Sequence, residues 1–84
     1  MINLPWKKYG WDGDFKTIYH GYACILYRIW LEDNFILTIA FKNEVILSGF
    51  LPLNIKSIDA GKKLAAILIE SHMVSVNQEK EKTQ

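Results

Sequence analysis

Few side chains in this chain could do chemistry, and their spacing decides which chemistry is open to them. Asp12 and Asp14 flank Gly13. Two carboxylates in a turn are hard oxygen ligands for Mg²⁺ or Ca²⁺, but a calcium loop needs further oxygens at set spacings, and these are missing. The triplet reads as a polar turn, because Gly tolerates positive φ and Asp bonds its own backbone. His20, Cys24 and His72 are the soft ligands. They make no zinc spacing such as Cys-x-x-Cys, and a structural zinc needs four ligands. Cys24 and His20 have the types of a nucleophile and its base, but no orienting third group or oxyanion hole accompanies them. Ser48-Gly49 and Ala60-Gly61-Lys62-Lys63 lack the pattern of a phosphate loop. The sequence therefore predicts no catalytic residue, no metal and no cofactor: a non-enzymatic protein.

A second constellation mixes charge and rings. Lys7, Lys8 and Lys16 lie near Trp6, Tyr9, Trp11 and Tyr19, while Lys56, Lys62 and Lys63 gather where a helix should begin. Basic and aromatic residues together grip single-stranded nucleic acid by charge and stacking. The net charge of +1, from ten basic and nine acidic residues, weighs against that use, because nucleic-acid affinity comes largely from neutralising phosphates. Near-neutrality also removes the self-repulsion that keeps small proteins apart.

The elements that position these residues fit in one small domain. The chain has 84 residues, half of them hydrophobic and 13% aromatic, which excludes disorder over most of its length. Cys24 is alone, so no intramolecular disulfide staples the fold. The opening MINLPWKKYG has no apolar run of the kind a secretory signal needs. No apolar stretch approaches the roughly 20 residues of a membrane span. The expectation is a cytoplasmic protein with no membrane partner.

Residues 1–14, with Pro5, Gly10 and Gly13, read as an irregular or edge-strand segment. Strands are predicted at 15–20, 22–31, 35–42 and 45–51, with Gly21 as a break or bulge and Gly49 as a possible bulge. Glu32-Asp33-Asn34 and Asn43-Glu44 are the turns between them. Turns this short favour antiparallel hairpins over crossovers. Ser57 suits a helix N-cap with Asp59 in the first turn. The helical period then runs to about Val74, with Asp59, Lys62, Lys63, Ala66 and Glu70 as its polar stripe. The predicted fold is α+β: an antiparallel three- to four-stranded β-meander packed on one C-terminal α-helix. It spans residues 1–76, with 77–84 a polar, disordered tail.

One helix covers one face of a sheet, so the other face should alternate to polar. These strands do not alternate cleanly. Leu26, Trp30, Ile36, Ile46 and Phe50 are expected on the uncovered face, and a contiguous apolar patch of that kind marks an interface. Either residues 1–14 fold across it with Trp6, Tyr9 and Trp11, or it binds another protein or a second copy. The expected anchors are Trp6, Trp11, Leu26, Trp30, Ile36 and Phe50, since large aromatics give much contact area for little lost rotamer freedom.

An early Trp6, Tyr22-Ala23 opening a strand, Tyr27-Arg28-Ile29 within it, two more strands, and Ser57-Ile58-Asp59-Ala60 followed by Leu64-Ala65 in a helix form a layout. It resembles that of small β-meander-plus-helix proteins of bacteriophages and mobile elements, over about residues 6–73. The resemblance implies a protein-binding module that occludes a partner's surface, since such small proteins include anti-defence inhibitors of the anti-CRISPR kind. The layout is also similar to the arm-binding domain of tyrosine integrases, which lays its sheet in the DNA major groove. That likeness would imply DNA binding through Lys7, Lys8, Lys56, Lys62 and Lys63, but the strands here are apolar where a DNA-facing sheet offers Arg, Lys and polar side chains.

Overall fold

Runs of β-branched and aromatic residues, punctuated by turn residues, set the strands. The computed structural model describes residues 2–10, 13–29, 34–51 and 57–82. In these the chain forms β1 (Lys7–Tyr9), β2 (Asp14–Tyr19), β3 (Tyr22–Ile29), β4 (Asn34–Phe41), β5 (Glu44–Phe50) and the helix α1 (Ile58–Lys82). All neighbours pair antiparallel, in the order β1-β2-β3-β4-β5. The fold is the α+β meander with a C-terminal helix that the sequence predicts, with five strands where three to four were expected. The added strand is β1. Its three residues are exposed where they pair with β2, so no hydrophobic pattern sets it beyond the edge-strand segment read there.

Two tight turns close one end of the sheet. His20 and Gly21 have φ of 46° and 85°, and Lys42 and Asn43 have φ of 51° and 68°. Two successive residues with positive φ give the turn whose twist matches paired strands. Gly21 breaks the strand as the second residue of a turn and is not a bulge, and the second turn is Lys42–Asn43 where the sequence suggested Asn43–Glu44. The Lys42 N–H donates to the Gly21 carbonyl at 3.0 Å and ties the two turns together. The one register shift falls between Ile39 and Ala40, opposite Val45 and Leu47, which makes Ile46 the extra residue and leaves Gly49 in regular pairing.

Register fixes the faces, because directly opposed residues in a pleated sheet point the same way. Thr17, Cys24, Ile39 and Leu47 form one row, and Phe15, Leu26, Leu37 and Gly49 the next. This side carries the core: Tyr22, Cys24, Leu26, Phe35, Leu37 and Ile39 meet Ala65 and Ile69 of the helix, all buried. The helix lies over the central strands β3 and β4. Its start is capped as the sequence predicts, with the Ser57 hydroxyl accepting from the Ala60 N–H at 3.1 Å; such a cap is worth about 1 kcal/mol. Gly61 sits where the helix is packed tightly on core leucines. A Cβ there would lie 3.2 Å from both Leu26 and Leu51.

The helix continues past Val74 to Lys82. Gln, Glu and Lys are good helix formers, so the polar sequence after Val74 prolongs a helix whose buried stripe has ended. A helix of this length is about 37 Å long, against about 27 Å for an eight-residue strand. Its last turns extend past the sheet, and the long axis of the molecule is 49 Å.

Candidate protein-binding face

The face opposite the helix is built from the alternate residues of the same strands. One row across it is Ile18, Ala23, Ala40 and Val45; another is Lys16, Ile25, Thr38 and Ser48; Ile36 pairs with both Tyr27 and Phe50 in a third. Ile18 is 66% exposed, Val45 61% and Phe50 58%. Ile25, Tyr27, Ile29, Ile36 and Ala40 are half-buried by their neighbours. The polar centre is small: the Thr38 and Ser48 hydroxyls bond each other at 3.1 Å and so are already satisfied. Positive charge borders the face at β1 and β2, where Lys7 opposes Lys16. The Lys16 ammonium stands 5.4 Å from the centre of the Tyr9 ring.

Of the segment 1–14 expected as a lid, residues 2–6 go to the other side, while Tyr9 lies beside Lys16 at the border of the open face and Trp11 lies outside the described residues. Ile2, Leu4 and Trp6 pack against the core cluster. The Lys62 ammonium on the helix lies 3.8 Å from the centre of the Phe15 ring and 5.9 Å from that of Trp6. This cation held against two rings clips the segment to the helix flank. Among the described residues, no strand or helix covers the open face, and residues 2–6 do not close it.

The expected anchors are therefore split. Ile36 and Phe50 lie on the open face, opposite each other. Leu26 does not; it is 1% exposed, pairs with Leu37 and belongs to the core. Trp6 is half-buried under the helix flank. Ile46, expected beside Ile36, lines a groove toward the helix with Leu47, Leu68 and Ser71, because the bulge turns it. Trp11 and Trp30 lie outside the described residues. Ile18 and Val45, the most exposed members, escape single-strand reading, because nothing in their own strands says which face will be open.

The lysines divide likewise. Lys7 and Lys16 border the open face, whereas Lys8 opposes Phe15 on the helix side and Lys62 is engaged with Phe15 and Trp6. Lys63 is exposed on the helix, and Lys56 lies outside the described residues.

The chemical candidates are occupied by structure. The Asp14 carboxylate accepts the Arg28 backbone N–H at 3.1 Å, and Asp12 lies outside the described residues. No cluster of three or more His, Cys, Asp or Glu residues is placed to hold a metal among the described residues. His20 is in the exposed turn, edge-on to Tyr19 at 4.4 Å. His72 Nδ1 is 2.7 Å from the Tyr22 hydroxyl, and Tyr22 stacks on Phe41 at 4.4 Å. Burial raises the Tyr22 hydroxyl above its ordinary pKa.

Cys24 is fully buried, and burial pushes its thiol up from 9.0 to about 12. A thiol is a nucleophile only as thiolate, so it cannot serve His20 as a nucleophile. The raised value carries no penalty below pH 9, where the thiol is neutral folded or unfolded. From pH 9 to 12 the unfolded chain ionises first, and stability falls. A loss of about 1–2 kcal/mol by pH 10.5 is expected. Urea unfolding from pH 8 to 11 checks this, and Cys24→Ala should flatten the slope.

No helix among the described residues is long and apolar enough to cross a membrane. No protein-family model matches the chain, and neither a characterised protein sequence nor a solved structure is significantly similar to it.

Proposed function

We propose that this chain is a non-catalytic protein-binding module that seats a partner on the open face of its sheet. The supporting observation is that face itself: Ile18, Val45 and Phe50 each more than half exposed on one side of a five-stranded sheet whose helix lies on the other. Large apolar side chains left exposed together on one sheet face mark an interaction site. The Lys7 and Lys16 border suits a partner with an apolar surface rimmed by carboxylates, whose approach the lysines would steer. Acting by occlusion, as the phage-type anti-defence inhibitors it resembles would act, requires only such a face and no catalytic group. A cytoplasmic setting fits the single thiol of Cys24. The DNA-binding reading gains less support, since the described lysines point to different sides and the open face offers few polar groups to read bases.

The test is capture of a partner by the immobilised chain, compared across variants. Ile18→Asp with Ile36→Asp should weaken capture of the same partner at least tenfold, about 1.4 kcal/mol. Lys63→Ala, on the outer helix, should leave it unchanged. Equal capture by all three proteins rejects the open face as the binding surface.

A further inference from the structure

The two edges of the sheet are unlike. An edge strand presents unpaired N–H and C=O groups to any other strand, and proteins usually protect it with short length, Lys or Pro. The β1 edge has all three protections: it is three residues long, two of them are Lys7 and Lys8, and Pro5 precedes it. The β5 edge lacks the short length and the Lys; it has Pro52 two residues beyond its end in sequence and the bulge at Ile46. It is seven residues long and exposed throughout, and its only charge is Glu44 at the first position. Among the described residues nothing pairs with its outer edge.

The surface beside β5 is equally bare. Because α1 rests on β3 and β4, a groove opens between the helix and β5, lined by Leu47, Gly49, Phe50, Leu64 and Leu68. It continues past Ile46 to Ser71 and Ser75. No Asp, Glu, Lys or Arg lines either stretch. The occupant must supply an extended backbone, no charge, and apolar side chains on the helix side.

We propose that the occupant is a second copy of this chain, with the two β5 edges paired antiparallel across a two-fold axis into one continuous sheet. β5 has the chemistry its own edge calls for: it is extended and apolar, and it turns Ile46 and Leu47 toward the groove. A two-fold contact must be compatible with itself. A register centred on Leu47 sets Glu44 opposite Phe50 of the second copy and brings no like charges together. Val45, Ile46, Leu47 and Phe50 are 61%, 39%, 40% and 58% exposed. Covering Ile46, Leu47, the flanks of Val45 and Phe50 and the backbone edge removes on the order of 300–500 Å² per partner, below the ~800 Å² of a stable dimer, so the pairing is weak and concentration-dependent. The pairing leaves the open face uncovered and doubles its width, so the proposal does not depend on the partner-binding reading.

Light scattering over a dilution series tests it on the intact chain. The expected result is a mass of twice 9.7 kDa that falls to the monomer on dilution. Leu47→Lys should raise the dissociation constant at least a hundredfold, while Ile18→Lys, on the open face near the opposite edge, should leave it unchanged. Amide exchange gives a second reading that needs no variant: β5 amides should be more protected at high than at low concentration. A monomer at every concentration overturns the proposal. So does a dimer that Leu47→Lys leaves intact, one that Ile18→Lys breaks, or β5 exchange independent of concentration. Failure of partner capture by Ile18→Asp with Ile36→Asp, in a chain that still dimerises, would bear on the open face alone.

Discussion

Truncating Leu26 to alanine is expected to lower the free energy of unfolding by about 3 kcal/mol, within the range of about 2–5 kcal/mol for buried leucines. Leu26 is 1% exposed, lies in a row with Phe15, Leu37 and Gly49, and fills the space beneath Gly61. The helix backbone is close there, so the site cannot collapse around the missing methyls without moving α1. A domain of this size has a total stability of about 4–12 kcal/mol, so the variant should be partly unfolded in mild urea. Ile36→Ala is the matched control. Ile36 is half-buried on the open face between Tyr27 and Phe50, and its truncation should cost about 1 kcal/mol or less. Urea unfolding of the two variants separates the faces directly. Equal losses would mean the face assignment is wrong.

Gly61→Leu should be at least as damaging, at about 3 kcal/mol or more. A Cβ at position 61 already meets Leu26 and Leu51 at 3.2 Å, and a full side chain has no room between α1 and β3. Overpacking of a tight core typically costs 1–3 kcal/mol, and here it also lifts the helix from the strands on which it rests. Gly61→Ala is the informative companion. Alanine gains about 1 kcal/mol of helix propensity over glycine, against contacts that require the leucine ends to shift by a few tenths of an ångström. It should lie within about 1 kcal/mol of the parent by thermal unfolding. A Gly61→Leu protein as stable as the parent would show that the helix does not approach the sheet at that turn.

The meander was legible because its strands are rich in Ile, Tyr, Phe and Leu and are separated by short polar turns, and the helix start was legible in Ser57 and Asp59. The faces were not. A shift of one residue in pairing moves a whole strand's side chains to the other face, and only a clear apolar–polar alternation would have fixed the choice. Here Tyr22, Cys24 and Leu26 alternate with Ala23, Ile25 and Tyr27, so both faces of β3 are apolar and neither declares itself. That is why Leu26 was grouped with Ile36 although it pairs with Leu37. β1 was legible only as an irregular or edge-strand segment, because Lys7, Lys8 and Tyr9 are exposed and bury nothing that would set a strand pattern. The path of Trp6 depended on Lys62 and Phe15, far apart in sequence, meeting at the helix flank.

The central claim is that the isolated protein carries an uncovered apolar sheet face. Titration with the hydrophobic dye anilinonaphthalene sulfonate, alongside near-ultraviolet circular dichroism to show a folded core, tests it most directly. Saturable dye binding by the folded protein is expected, lost when Ile18 and Val45 are both replaced by Asp and retained in Leu47→Lys. A folded protein that binds no dye, or a double variant that binds it as the parent does, would contradict the account.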